Sequence, residues 1–234
     1  MKYPVGMAVA SLCLLSHSSV THAAVVINEI YNHGGQPTST YDSNFVELYN
    51  PDATSWNLDG WSVQYSYFAS NAWSVPLTPL SGQLAPGSSY LIALPSGVPG
   101  TGGAALPTPD ATDSTTILHA SGGRVALVSD LGRLLCDRAC AGQYNVIDLV
   151  AWGSINILGG SGLSAGNGSA TQSIQRQTQT FTNWRDFGTA APTPTPSPVP
   201  LPAAAWLMLS GLGGVAAFAR RRRGEAGMLQ TKPS

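Results

Sequence analysis

No lysine stands between Lys2 and Lys232 in this 234-residue chain. Arg220 to Arg223 and Glu225 also lie at the C-terminal end, so the residues between the terminal segments keep five basic and eleven acidic side chains. That interior carries about −6, which the formal −1 of the whole chain conceals. A surface of this kind has no clustered cations to displace counterions from a phosphate backbone, which excludes nucleic acid as a direct partner. Charged residues of both signs make up only 10% of the chain, against 26 glycines and 17 prolines. That balance belongs to turn-rich, all-β exported proteins and excludes a disordered acidic tail. Helical signal is missing as well: no apolar stripe at 3.6-residue spacing occurs over residues 24–190. Histidine is sparse. His22 belongs to an N-terminal leader, and His33 and His119 stand too far apart to suggest a metal pair. A nucleophile elbow is absent too, because GGSGLSAG at 159–166 has neither a strand-to-helix setting nor a matched base.

What is present is concentrated in residues 24–68. Trp61, Val63, Tyr65 and Tyr67 alternate with Ser62, Gln64 and Ser66, a period of two that predicts an antiparallel strand with one face in a core and the other in water. Val46 and Leu48 flank Glu47 in the same rhythm, while Val25, Val26 and Ile27 form a denser β-branched run suited to a more central strand. The turns between them are NHGG at 32–35, NPD at 50–52 and LDG at 58–60. Further strands are expected over 87–93, 115–119, 124–129, 132–136, 145–152 and 172–176, with a tight hairpin at 130–132. In the strand at 145–152, Ile147, Leu149 and Ala151 alternate against Asp148. Two Gly-, Pro- or Ser-rich loops, 94–113 and 153–171, fall where a rigid β scaffold usually carries binding specificity, although a functionless insertion reads the same way. With the ends removed about 165 residues remain, enough for one domain with its own core.

Five of the eleven interior acids, Glu29, Asp42, Glu47, Asp52 and Asp59, fall within 31 residues. Carboxylates on adjoining loops can collect a calcium ion, and Glu29, Asp42, Asp52 and Asp59 are the candidates. The competing reading places Asp52 and Asp59 in turns where Asp bonds its own backbone, and Glu29 and Glu47 on strands. Nothing in the spacing fixes a carboxylate pair for acid/base hydrolysis, so no catalytic residue and no cofactor is assigned. Cys13 lies in the leader, which leaves Cys136 and Cys140. An even pair in an exported protein points to a disulfide, with metal or redox use as the alternatives. Extended chain would hold the two α-carbons about 13 Å apart, so CDRAC must fold back to bring them within about 7 Å. Trp56, Tyr67, Trp73 and Trp184 could stack on sugars or, more commonly, cover core and sheet edges.

The two ends read as export and anchoring signals. Residues 1–23 combine Lys2, an apolar stretch over 5–15 and the THA cleavage pattern ahead of Ala24, a secretory signal cut between Ala23 and Ala24 by signal peptidase after passage through the Sec translocon. At the other end, residues 190–198 are a proline-spaced linker expected to be extended and stiff, holding the domain away from the apolar segment behind it. Residues 202–219 are uncharged and about 27 Å long as a helix, which matches a bilayer core. The arginines behind them fix the domain outside and the tail, 224–234, inside.

The ordered motifs VINEIY at 26–31, NFVELYNP at 44–51 and LDGWSV at 58–63, followed by VIDLVAWG at 146–153, SIQR at 173–176 and NWRDFGTAAPTPTP at 183–196, resemble a bacterial lamin-tail domain over about residues 24–196. The resemblance implies an all-β, immunoglobulin-like antiparallel sandwich over residues 24–189, used for binding or scaffolding without catalysis, in which Glu29 and Glu47 belong to the fold signature. Val199, Pro200, Leu201 and Pro202, continuing as AAAWL, resemble the VPLPA form of a PEP-CTERM sorting signal over 199–223. Leu201 stands where the commonest form has glutamate, and residues 224–234 extend past the arginines. That resemblance implies recognition by an exosortase-like membrane enzyme, processing at the Pro motif, and delivery to the surface or matrix of a Gram-negative bacterium. The expectation is a non-enzymatic surface protein that binds exopolysaccharide or another surface protein. Its alternatives are an accessory module of an extracellular hydrolase and a purely structural matrix protein.

Overall fold

The computed structural model describes residues 25–67, 70, 72–73, 77–98, 100, 102–136, 140, 145–153, 165–177 and 187–196. Among these the chain is built from strands: β1 (Val26–Tyr31), β2 (Asn44–Tyr49), β3 (Trp56–Asn57), β4 (Ser62–Tyr67), β5 (Thr78–Pro79), β6 (Gln83–Leu84), β7 (Ser89–Leu94), β8 (Ala111–Thr112), β9 (Gly122–Val128), β10 (Val146–Gly153), β11 (Ser173–Arg176) and β12 (Phe187–Ala190). One sheet runs β12-β11-β1-β2-β7-β8, a second β10-β9-β4-β5, and β3 pairs with β6 alone. Pairing between these strands is antiparallel except for β7 with β8.

The sheets face each other across one apolar core. Ile27, Ile30, Val46, Leu48, Ile92 and Ile174 from the larger sheet meet Val63, Tyr65, Val125, Leu127, Val150 and Trp152 from the smaller. The period-two rhythm of β4 therefore sends Trp61, Val63, Tyr65 and Tyr67 inward as expected. Its other face is not in water. Ser62, Gln64 and Ser66 are each wholly buried, because the segments around 70–73 and 130–134 fold across them. Ser62 Oγ donates to the Asp130 carbonyl at 2.7 Å, and Ser66 Oγ to that of Ala72 at 2.7 Å. Gln64 donates to the Gly132 carbonyl and accepts from the Leu134 amide at 3.0 Å. Small polar side chains on that face are acceptors and donors for covering loops, which alternation alone does not distinguish from a solvated face.

Those loops close a second cluster of Trp73, Ala126, Val128, Leu134, Cys140 and Leu149 on the outside of the smaller sheet. Leu149 thus faces this cluster, while Val150 and Trp152 face the main core, after a register shift between Val146 and Asp148. Residues 132–136, expected as a strand, instead cross over β4 as covering loop, so no hairpin forms at 130–132. Residues 115–119 are also irregular: Asp113 Oδ1 binds the amides of Thr115 and Thr116, an Asx-type turn that competes with strand pairing. A third cluster, Tyr31, Phe45 and Leu91 with Tyr41 and Leu106, lies outside the larger sheet.

Candidate functional site

On the outer face of the larger sheet, Glu29 of β1 stands opposite Glu47 of β2 and, on its other side, Gln175 of β11. Strand alternation puts these three in one row, since their neighbours Ile30, Val46 and Ile174 point into the core. Two carboxylates side by side on a sheet face should be wet. They are 1% and 2% exposed, because residues 191–196 lie over them. The Thr193 amide donates to Glu29 Oε1 at 3.0 Å and its hydroxyl to Glu29 Oε2 at 3.1 Å. The Thr195 amide donates to Glu47 Oε2 at 2.7 Å. Glu47 Oε1 accepts from Asn28 Nδ2 at 2.8 Å and Ser89 Oγ at 3.1 Å. Gln175 Nε2 donates to the Ala191 carbonyl at 2.8 Å. All four carboxylate oxygens are therefore engaged by the chain itself. Burial pushes the Glu47 carboxyl above its usual range, opposed by the Asn28 and Thr195 donors and reinforced by the charge of Glu29. Chemically the row is two carboxylates accepting from backbone amides and one side-chain amide donating to a backbone carbonyl, suited to holding extended peptide.

The linker, expected to be extended and stiff, is thus bonded to the domain along residues 191–195. β12 joins it to β11, and from there it runs along the sheet.

The calcium candidates are not gathered into one place. Glu29 lies under the linker. Asp42 accepts from Ser43 Oγ at 2.9 Å. Asp52 accepts from Trp56 Nε1 at 2.7 Å, and Asp59 from the Gly82 amide at 2.8 Å. Among the described residues no three His, Cys, Asp or Glu side chains come together as a metal group. His33 is half-buried beside Asn32 Oδ1 at 2.8 Å, and burial lowers its pKa. His119 accepts from Trp152 Nε1 at its carbonyl, 3.0 Å away. Trp73 is a core residue, and Trp56 is tied to Asp52. Trp184 lies outside the described residues. So do Ala23, Ala24, Val199, Pro200, Leu201, Pro202 and the apolar stretch 202–219. Among the described residues no helix is long and apolar enough to cross a membrane.

Cys136 and Cys140 form a disulfide with α-carbons 5.5 Å apart. Trp73 Nε1 lies 3.1 Å from Cys140 Sγ, and the Arg124 guanidinium sits over the Trp73 ring at 5.0 Å. A second polar feature was not legible in the sequence. Asp148 Oδ2 accepts from Arg176 Nη2 at 2.6 Å and from the Ile27 amide at 2.8 Å, tying β10 of one sheet to β1 and β11 of the other. Only the odd placement of one acid in an otherwise apolar strand hinted at it.

Comparison with known families adds two matches. The PEP-CTERM protein-sorting motif matches residues 198–223, directly after the docked linker. It marks an exported protein sorted at the membrane by an exosortase-like enzyme in Gram-negative bacteria. No curated protein matches the chain. The family model of the Lamin Tail Domain matches residues 18–153, which takes in β1 to β10: the whole smaller sheet and four of the six strands of the larger sheet of the immunoglobulin-like sandwich. With more than half its length in that match, the chain belongs to the Lamin Tail Domain family.

Proposed function

We propose that the chain displays a non-catalytic binding or scaffolding domain on the outer envelope or in the surrounding matrix, where it engages exopolysaccharide or another surface protein. The observation that carries this reading is the direct junction between cargo and address. The sheet continues through β12 into a linker held down as far as Thr195, and the sorting motif begins at residue 198. That junction is too short to hold a further folded unit, so the sandwich is what the sorting system delivers. Its signature glutamates are used to hold the chain together, which favours a scaffold over a hydrolase.

The test fractionates producing cells that carry the full chain or one lacking residues 198–234. The full chain is expected in the envelope or matrix, and the shortened chain in the soluble periplasmic or medium fraction. Equal distribution of the two overturns delivery by this segment. For binding, the full chain is presented to a glycan array and to envelope polysaccharide. Retention supports the scaffold reading, and turnover of any glycan or phosphoester by the purified chain overturns it.

A further inference from the structure

We propose that the Glu29–Glu47–Gln175 row is a binding site for extended, proline-spaced peptide, and that its ligand is the chain's own APTPTP segment, residues 191–196, which it holds as a strap. The segment's sequence matches the site. Pro192, Pro194 and Pro196 carry no amide hydrogen and favour extended backbone, so Thr193 and Thr195 supply its donors after Ala191. In β-like extended chain, with its period of two, those two amides recur on one side, about 6–7 Å apart. Glutamates opposite each other on antiparallel strands have Cβ atoms about 5 Å apart, and their side chains span the remainder. One amide reaches each carboxylate, 3.0 Å to Glu29 and 2.7 Å to Glu47. Gln175 completes the row by taking the preceding carbonyl, that of Ala191. Donors of this kind are what two adjacent anions require: without the strap Glu29 and Glu47 would repel each other on a solvated face. A stiff, proline-spaced strand also loses less entropy on docking than a flexible linker would.

The consequence for membrane spacing rests on the proposed sorting. With the strap docked, residues 197–201 are the reach left between the domain and the apolar stretch, about 17 Å at full extension. Release of 191–196 would add about 20 Å. The strap therefore sets how closely the folded domain stands to the membrane while the sorting motif is engaged.

The experiment measures amide exchange in the full chain in detergent micelles. Thr193 and Thr195 should exchange at least about tenfold more slowly than the same amides in a free APTPTPSP peptide. Thr195→Pro removes one donor without changing any domain residue, and it should speed exchange at Thr193 at least about fivefold if the strap docks as a unit. Glu47→Ala should free Thr195. If that variant fails to fold, Thr195→Pro decides alone. Free-peptide exchange rates at both threonines in the unaltered chain, or protection at Thr193 that Thr195→Pro leaves untouched, overturn the strap. Failure of sorting would appear in the fractionation experiment and leave these rates unchanged, so the two claims fall separately.

Discussion

Asp113 shows how a side chain is tuned within this frame. Burial alone would raise its carboxyl, but bonds from Thr116, Thr78 and Thr115 outweigh it and hold the pKa at about 2. A group with a depressed folded pKa contributes stability that is present above its unfolded value of 3.8 and is lost as pH falls toward about 2. The expected outcome is a thermal midpoint that drops between pH 4 and pH 2 by less in Asp113→Asn than in the unaltered chain, measured by calorimetry across that window. Gly34 is limited by space instead. A Cβ there would sit 2.2 Å from the Ser43 carbonyl carbon, backbone that cannot rotate away. Gly34→Ala should cost about 3 kcal/mol in denaturant unfolding, and a loss below about 1 kcal/mol would show that the 32–35 turn can shift. Turn residues of this kind were legible because their chemistry is local. The burial of Glu29 and Glu47 was not, because it depends on Thr193 and Thr195, which lie 164 and 148 residues away in sequence and which no local pattern connects to them.

At the scale of the element, strands with sustained alternation or dense β-branching were readable, and those with two residues were not. β3, β5, β6 and β8 each contribute a single short pairing fixed by neighbours rather than by their own sequence. Covering loops were the larger omission. Ser62, Gln64 and Ser66 look the same in sequence whether they meet water or the carbonyls of residues 72, 130 and 132. The Cys136–Cys140 disulfide belongs to that cover, with Cys140 packed against Trp73 inside the second cluster. Closing a loop of five residues removes little entropy from the unfolded chain, so Cys136→Ser/Cys140→Ser should lower stability by about 2 kcal/mol at most while the fold persists. The same double variant should make Trp73 more accessible to a fluorescence quencher, with Trp73→Phe as the control. Loss of the cooperative transition would mean that the disulfide supports the main core as well as the cover.

For the whole molecule, the family match and the folded unit do not end together. The match stops at residue 153, yet β1 is hydrogen-bonded on one side by β11, and β11 by β12, all downstream. Removing residues after Gly153 would leave the edge of β1 open, take Ile174 out of the main core and strip Asp148 of Arg176. It would also uncover Glu29 and Glu47, taking both strap donors from Glu29 and leaving Glu47 only Asn28 and Ser89. An open edge on a central strand is a template for another chain, and a buried acid without its partner is costly. A chain of residues 25–153 should therefore aggregate or elute as a broad expanded species, whereas residues 25–196 should run as one compact species with a single denaturant transition. Size-exclusion chromatography and equilibrium unfolding distinguish the two. A cooperative monomer from 25–153 would show that the closing strands are an addition to a sandwich already complete, and that Glu29 and Glu47 need no strap over them for the fold to hold.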